Sequence, residues 1–181
     1  MLWPHASYIP VKLRLNNNLP YRTSEGRIDN DLAESQSKLA QFLPPNDAVT
    51  LVYAICQRHT GDFLGMGGLV ALEANFGWPA ISYIFDKATW GQGYATEFLR
   101  AFLDMYRGLP RSKIELRVDP RTVVDPHKME ECIVANTVGT NDKSQKVLEK
   151  CGFKRVLDWQ GRRCTMSTFQ YFTSQTIITE G

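Results

Sequence analysis

The sequence predicts an α/β fold built on a mixed sheet, and three stretches carry that prediction. Residues 81–107 read as a strand, a glycine loop and an amphipathic helix. Residues 50–56 and 63–72 read as two strands. The turn His59-Thr60-Gly61-Asp62 joins them into an antiparallel hairpin. Residues 141–153 read as a capped helix, and two more strand-like runs, 153–157 and 164–172, follow it.

Taken in order, residues 1–26 are rich in Asn and Pro, and only 11–15 can serve there as a strand, so an irregular or shortened N-terminal region is expected. Residues 27–43 carry Ile28, Leu32, Ser35, Leu39, Phe42 and Leu43 at mostly helical spacing until Pro44-Pro45 stops them. After the hairpin, 75–79 turn the chain into the strand 81–85. There Ile81, Tyr83 and Phe85 share one face at period two, and Ile84 makes the other face apolar as well. From Tyr94 the period becomes helical. Leu99, Phe102, Leu103 and Tyr106 fall on one side, with Glu97, Arg100, Asp104 and Arg107 as a polar stripe. Residues 113–118 and 131–137 then both look like strands. In the last helix Asn141 is a good N-cap and Asp142 sits where the dipole favours an anion. Val147, Leu148 and Cys151 form its buried stripe, and Gly152 is placed for the left-handed position past its end.

Composition fits one domain over 1–181. The chain is 43% hydrophobic, enough for a proper core, and its net charge of +2 comes from scattered lysines and arginines. No basic run marks a nucleic-acid surface. No apolar stretch approaches the ~20 residues of a membrane span, and the N-terminus makes a poor signal peptide. Cys56, Cys132, Cys151 and Cys164 show no metal-ligand spacing, and His5, His59 and His127 have no partner that marks them as catalytic. No metal is expected, and free thiols suit a cytoplasmic protein.

The chemistry concentrates at Gly91-Gln92-Gly93. Glycines let the backbone approach a ligand, and the helix after them opens with unpaired N–H groups and partial positive charge, a site for phosphate or pyrophosphate. The dinucleotide pattern G-x-G-x-x-G/A would need Gly or Ala at Thr96 and a strand ending directly at the first glycine, whereas 86–90 intervene. Asp119 can still pose as its ribose-binding acid, so a nucleotide-dependent oxidoreductase stays as one alternative. Residues 90–95, WGQGYA, resemble the Q/R-x-x-G-x-G/A pyrophosphate loop of the GNAT N-acetyltransferases, with Trp90 in place of Gln or Arg. Residues 141–153, NDKSQKVLEKCGF, resemble the second block of that superfamily, above all its ribosomal-protein N-terminal acetyltransferase branch. The resemblance covers roughly residues 50–172.

The resemblance implies a GNAT fold: a mixed, mostly antiparallel sheet with helices on both faces and a V-shaped opening between two central parallel strands. Those strands are taken as 81–85 and 131–137, which makes 110–128 an insertion. It also implies acetyl-CoA as co-substrate. The pantetheine would lie in the opening against the backbone of Phe85 and Asp86, whose N–H groups would polarise the thioester carbonyl. Backbone N–H groups of Gly91, Gln92, Gly93, Tyr94, Ala95 and Thr96 would hold the pyrophosphate, with Asn141 and Ser144 across the opening. Many relatives carry a tyrosine acid in an LYEKxGF-like block. That position is Leu148 here, so Ser144 is the alternative hydroxyl. Glu73 and Asp86 are the carboxylates available as base, and Phe76, Trp78 and Tyr83 either line an acceptor pocket or belong to the core. The implied acceptor is a small-molecule amine or a protein N-terminus, and a non-catalytic acyl-CoA binder is the main rival. Monomer and homodimer are both left open.

Overall fold

The structure, a computed structural model, describes residues 30–111, 115–125 and 130–176. The N-terminal stretch over 1–26, with the strand expected at 11–15, and the histidines His5 and His127 lie outside these residues.

Six strands form one sheet in the order β1-β2-β3-β4-β6-β5. In chain order they are β1 Leu51–Cys56, β2 Phe63–Ala71, β3 Ala80–Phe85, β4 Glu130–Val138, β5 Lys154–Gln160 and β6 Thr165–Thr176. The helices are α1 Leu32–Ala40, α2 Tyr94–Arg107 and α3 Asp142–Lys150. Among the described residues only β3 and β4 pair in parallel; the other pairings are antiparallel. This is the mixed, mostly antiparallel sheet of the GNAT fold.

Helix α1 is shorter than the pattern over 27–43. Its start is set by Asp31, whose carboxylate accepts the Glu34 N–H at 2.8 Å, and past Ala40 the chain runs in turns. It contributes no buried residue. The weight of the core falls on α2 and α3, which pack on one sheet face. There Leu99, Phe102 and Leu103 from α2 meet Ile81, Ile133, Leu148 and Phe169. The helix can sit this close because Gly67 has no side chain. A Cβ there would lie 2.7 Å from the Phe98 ring.

The opposite face carries Trp78, Ala80, Cys132 and Val134, covered by Leu116, Val118 and Val123. Residues 115–119 are therefore not a strand but belong to a strap laid over the sheet, and the strand beside β3 is β4, as favoured from the sequence. The period-two pattern in 113–118 has a plain cause: Leu116 and Val118 both face this core. Polar bonds fasten the strap. Trp78 Nε1 donates to Thr122 Oγ1 at 2.9 Å, Gln170 Nε2 to Thr122 O at 2.8 Å, and the Asp119 N–H to Phe76 O at 3.0 Å.

All four cysteines are free thiols. Cys132 is fully buried on β4, and desolvation, helped by the nearby Glu131 charge, pushes its thiol from 9.0 to about 12. The unfolded chain releases this proton near the ordinary value while the folded chain keeps it. Cys132 should therefore cost stability as pH climbs from 9.0 toward about 12. Alkylation checks the same point. At mildly alkaline pH exposed Cys56 should react quickly, and Cys132 only at the rate of unfolding.

Candidate active site

The two parallel strands touch at one place. Ala80 pairs with Val134, and the Val134 N–H donates to Pro79 O at 2.8 Å. Among the described residues no further β3–β4 pairing follows, so the strands diverge toward their C-terminal ends. The β2 side of β3 remains in register through Gly65↔Phe85, and the Asp86 N–H donates to Leu64 O at 2.8 Å. Antiparallel alternation then turns the polar backbone of Ser82, Ile84 and Asp86 toward β2, and that of Tyr83 and Phe85 into the gap. Asp86 N–H, expected to polarise a carbonyl in the opening, is thus taken by the sheet. The donors that face the gap are Tyr83 and Phe85. Phe85 O is already met by Trp90 Nε1 at 2.9 Å.

At the mouth of the gap the loop is a left-handed glycine turn. Gly91 and Gly93 have φ of 78° and 90°, and a Cβ on either would meet nothing within 4 Å. Both glycines serve the turn, and both face open space. Gln92 Nε2 ties the loop to Ala88 O at 3.0 Å. Helix α2 starts at Tyr94, and the Thr96 and Glu97 N–H groups both donate to Gly93 O at 3.0 Å. Thr96 N–H is therefore inside the helix ladder. The donors ahead of that first bond belong to Gly91, Gln92, Gly93, Tyr94 and Ala95.

An open depression of about 540 Å³ begins at this turn, lined by Gly93, Thr96, Glu97, Arg100 and Lys150. Arg100 Nη2 donates to Lys150 O at 3.2 Å, and both residues line the depression that begins at the start of α2. Sequence reasoning put Arg100 on a polar stripe and missed Lys150, because they meet only when α2 packs on α3.

Across the gap, Asn141 Oδ1 accepts the Ser144 N–H at 3.2 Å and caps α3. The Ser144 hydroxyl has a different partner. Its Oγ lies 3.0 Å from the Tyr83 hydroxyl, which is also 3.4 Å from Ser144 O. Burial raises the Tyr83 phenol above its ordinary value, and the Ser144 bond pulls it the other way. Lys143 Nζ sits 5.3 Å over the Trp90 ring, so the two walls also meet at the surface, where Trp90 is 52% exposed.

The remaining expected residues are dispersed. Asp86 stands at the mouth with Oδ1 accepting the Ala88 N–H at 2.8 Å. Glu73 is exposed and follows the end of β2 opposite Ala80, where β3 and β4 still touch. Ala80 and Asp86 are six residue steps apart, roughly 20 Å along β3, so the two carboxylates flank opposite ends of that strand. Phe76 and Trp78 pack on the strap face and Tyr83 on the helix face, so the three do not line one pocket. His59 lies exposed in the hairpin turn. Asp119, the ribose acid of the dinucleotide reading, sits in the strap and pairs with Arg121 at 2.7 Å.

The sequence profile of the acetyltransferase (GNAT) domain matches residues 15–154. The chain belongs to the GNAT acetyltransferase family, which supports acetyl transfer from acetyl-CoA as its general chemistry. A search of curated proteins returned no match. Solved structures share the fold at low identity. One described as a ribosomal-protein-serine acetyltransferase from Vibrio cholerae is 16% identical, with TM-score 0.53 over 77% of this chain and 73% of that one. A variant spermidine N-acetyltransferase from Vibrio cholerae is 14% identical, with TM-score 0.57 over 88% and 85%. A microcin self-immunity acetyltransferase in complex with acetyl-CoA and AMP is 15% identical, with TM-score 0.57 over 79% and 72%.

No helix among the described residues is long and apolar enough to cross a membrane.

Proposed function

We propose that this protein transfers the acetyl group of acetyl-CoA directly to a primary amine, either a small molecule or a protein N-terminus. The observation that carries the reading is the divergence of β3 from β4 beside a glycine turn that opens α2. Its elements fit the co-substrate chemically. The Gly91–Gly93 turn and first turn of α2 offer backbone donors for a pyrophosphate, with Arg100 and Lys150 as nearby cations. The strand edge at Tyr83 and Phe85 offers hydrogen-bonding groups to an amide-bearing arm and a donor for a thioester oxygen. Ser144, at the positive end of α3, is assigned to the departing sulfur. Asp86 is the nearer carboxylate for the amine proton, and Glu73, at the closed end, is left out. Relatives in fold named for spermidine and for ribosomal-protein serine make those two acceptor types the first to try.

The test is a binding comparison followed by turnover. Calorimetry should show saturable binding of acetyl-CoA and none of NAD, and free thiol should appear when spermidine or a serine-initiated peptide is added. NAD binding without a CoA response would overturn the assignment. CoA binding with no thiol release from any amine pool would make the protein an acyl-CoA binder instead.

A further inference from the structure

We propose that Tyr83 is a positioning residue for Ser144: its hydroxyl donates to Ser144 Oγ and so directs the serine proton toward the sulfur of bound coenzyme. The inference rests on the acetyl-CoA reading above and names a residue from a different element than either signature block.

Three observations support it. The two hydroxyls lie 3.0 Å apart although 61 residues separate them, because the alternation of β3 sends Tyr83 to the face where α3 begins. The helix cap does not use the serine side chain, since Asn141 Oδ1 takes the Ser144 N–H. The single phenol proton has two acceptors in reach, Ser144 O at 3.4 Å and Ser144 Oγ at 3.0 Å; the shorter contact and the greater acidity of a phenol over an alkyl hydroxyl assign it to Oγ. Burial keeps the phenol protonated through neutral pH, which preserves that direction. Left alone, a helical serine tends to turn its proton back to a carbonyl one turn earlier. An acceptor-side bond from Tyr83 instead holds Oγ in the gap, with its proton facing the opening.

The chemistry balances without moving either hydroxyl's proton. The amine nitrogen forms its bond to the acetyl carbon, and the carbon–sulfur bond breaks with its electron pair on sulfur. The Ser144 O–H hydrogen-bonds to that thiolate, and the proton that the amine gives to Asp86 passes through solvent to the sulfur. Leu148, buried among Ile81, Leu99 and Phe169, offers no such group.

The deciding measurement is the pKa of the thiol of bound CoA, read from ultraviolet thiolate absorbance. The desulfo-CoA complex is subtracted to remove the protein's own thiols. In the wild type the bound thiol should ionise below the ~8.5 of a free alkyl thiol. Tyr83→Phe and Ser144→Ala should each raise it by about half a unit, roughly a threefold change in thiolate fraction. The double variant should move it no further, and Ser144→Thr, which keeps the hydroxyl, should restore the wild-type value. Tyr83→Phe retains the ring and its packing with Phe85, and melting curves check its fold. A wild-type thiol pKa in Tyr83→Phe beside a raised one in Ser144→Ala would overturn the positioning role, as would additive shifts. Calorimetry separates the underlying reading. A wild type that binds no CoA refutes the acetyl-CoA assignment and this inference with it, whereas tight binding with no shift in any variant refutes only the inference.

Discussion

Gly93→Val is expected to weaken acetyl-CoA binding by more than tenfold, about 1.4 kcal/mol or above. Gly93 has φ 90° at the start of α2, and its missing side chain would point into space that no protein atom occupies within 4 Å. A valine there does two separable things. It strains the backbone, since a branched residue in the left-handed region costs on the order of 1–3 kcal/mol. It also puts two methyl groups where a pyrophosphate would approach the N–H groups of the turn. Gly61 supplies the control. It has φ 73° and equally open surroundings, but it turns the β1–β2 hairpin and lies away from α2. Gly61→Val should lower the melting temperature comparably and leave the CoA dissociation constant within a few-fold. If folded Gly93→Val binds CoA like the wild type, the phosphates lie elsewhere.

What could be read from the sequence was local. The strand, glycine turn and helix over 81–107 follow from a change of period, and the four residues named for the inner face of α2 are its buried residues. The Asn141 cap and left-handed Gly152 followed from residue type at a helix end. What was hidden depends on which strand lies beside which. Whether Asp86 or Phe85 faces the gap is a matter of parity, set by the register Gly65↔Phe85, and no single-strand pattern contains it. Leu116 and Val118 alternate with exposed Glu115 and Arg117 like a strand because a strap pressed on a sheet also covers every second side chain. Arg100 meets Lys150, and Tyr83 meets Ser144, only through the packing of α2 and α3 over β3. The signature blocks thus pointed to the candidate site, while its hydrogen-bond geometry had to come from the tertiary structure.

Ser144→Ala should lower kcat while leaving the acetyl-CoA dissociation constant within a few-fold. A coenzyme thiol leaves readily, and Ser144 assists it by a hydrogen bond to the thiolate and not by proton transfer, so its loss should lower kcat by roughly tenfold, the low end for one hydrogen bond to a charged group. A purely structural role would act through the helix cap, where losing a capping side chain costs about 1 kcal/mol. The geometry separates the two readings. The cap is Asn141 Oδ1 to the Ser144 backbone N–H, which alanine keeps, whereas Ser144 Oγ faces the Tyr83 hydroxyl at 3.0 Å. Removing Oγ should therefore leave α3 capped and cost only the net worth of one half-buried hydrogen bond, about 1 kcal/mol. Asn141→Ala is the converse variant. It should lower the melting temperature by weakening the start of α3. Steady-state kinetics beside melting curves decide the matter. An unchanged kcat in Ser144→Ala, with only its melting temperature lowered, would leave the serine as a packing partner of Tyr83 and return the question of the acid to the solvent in the gap.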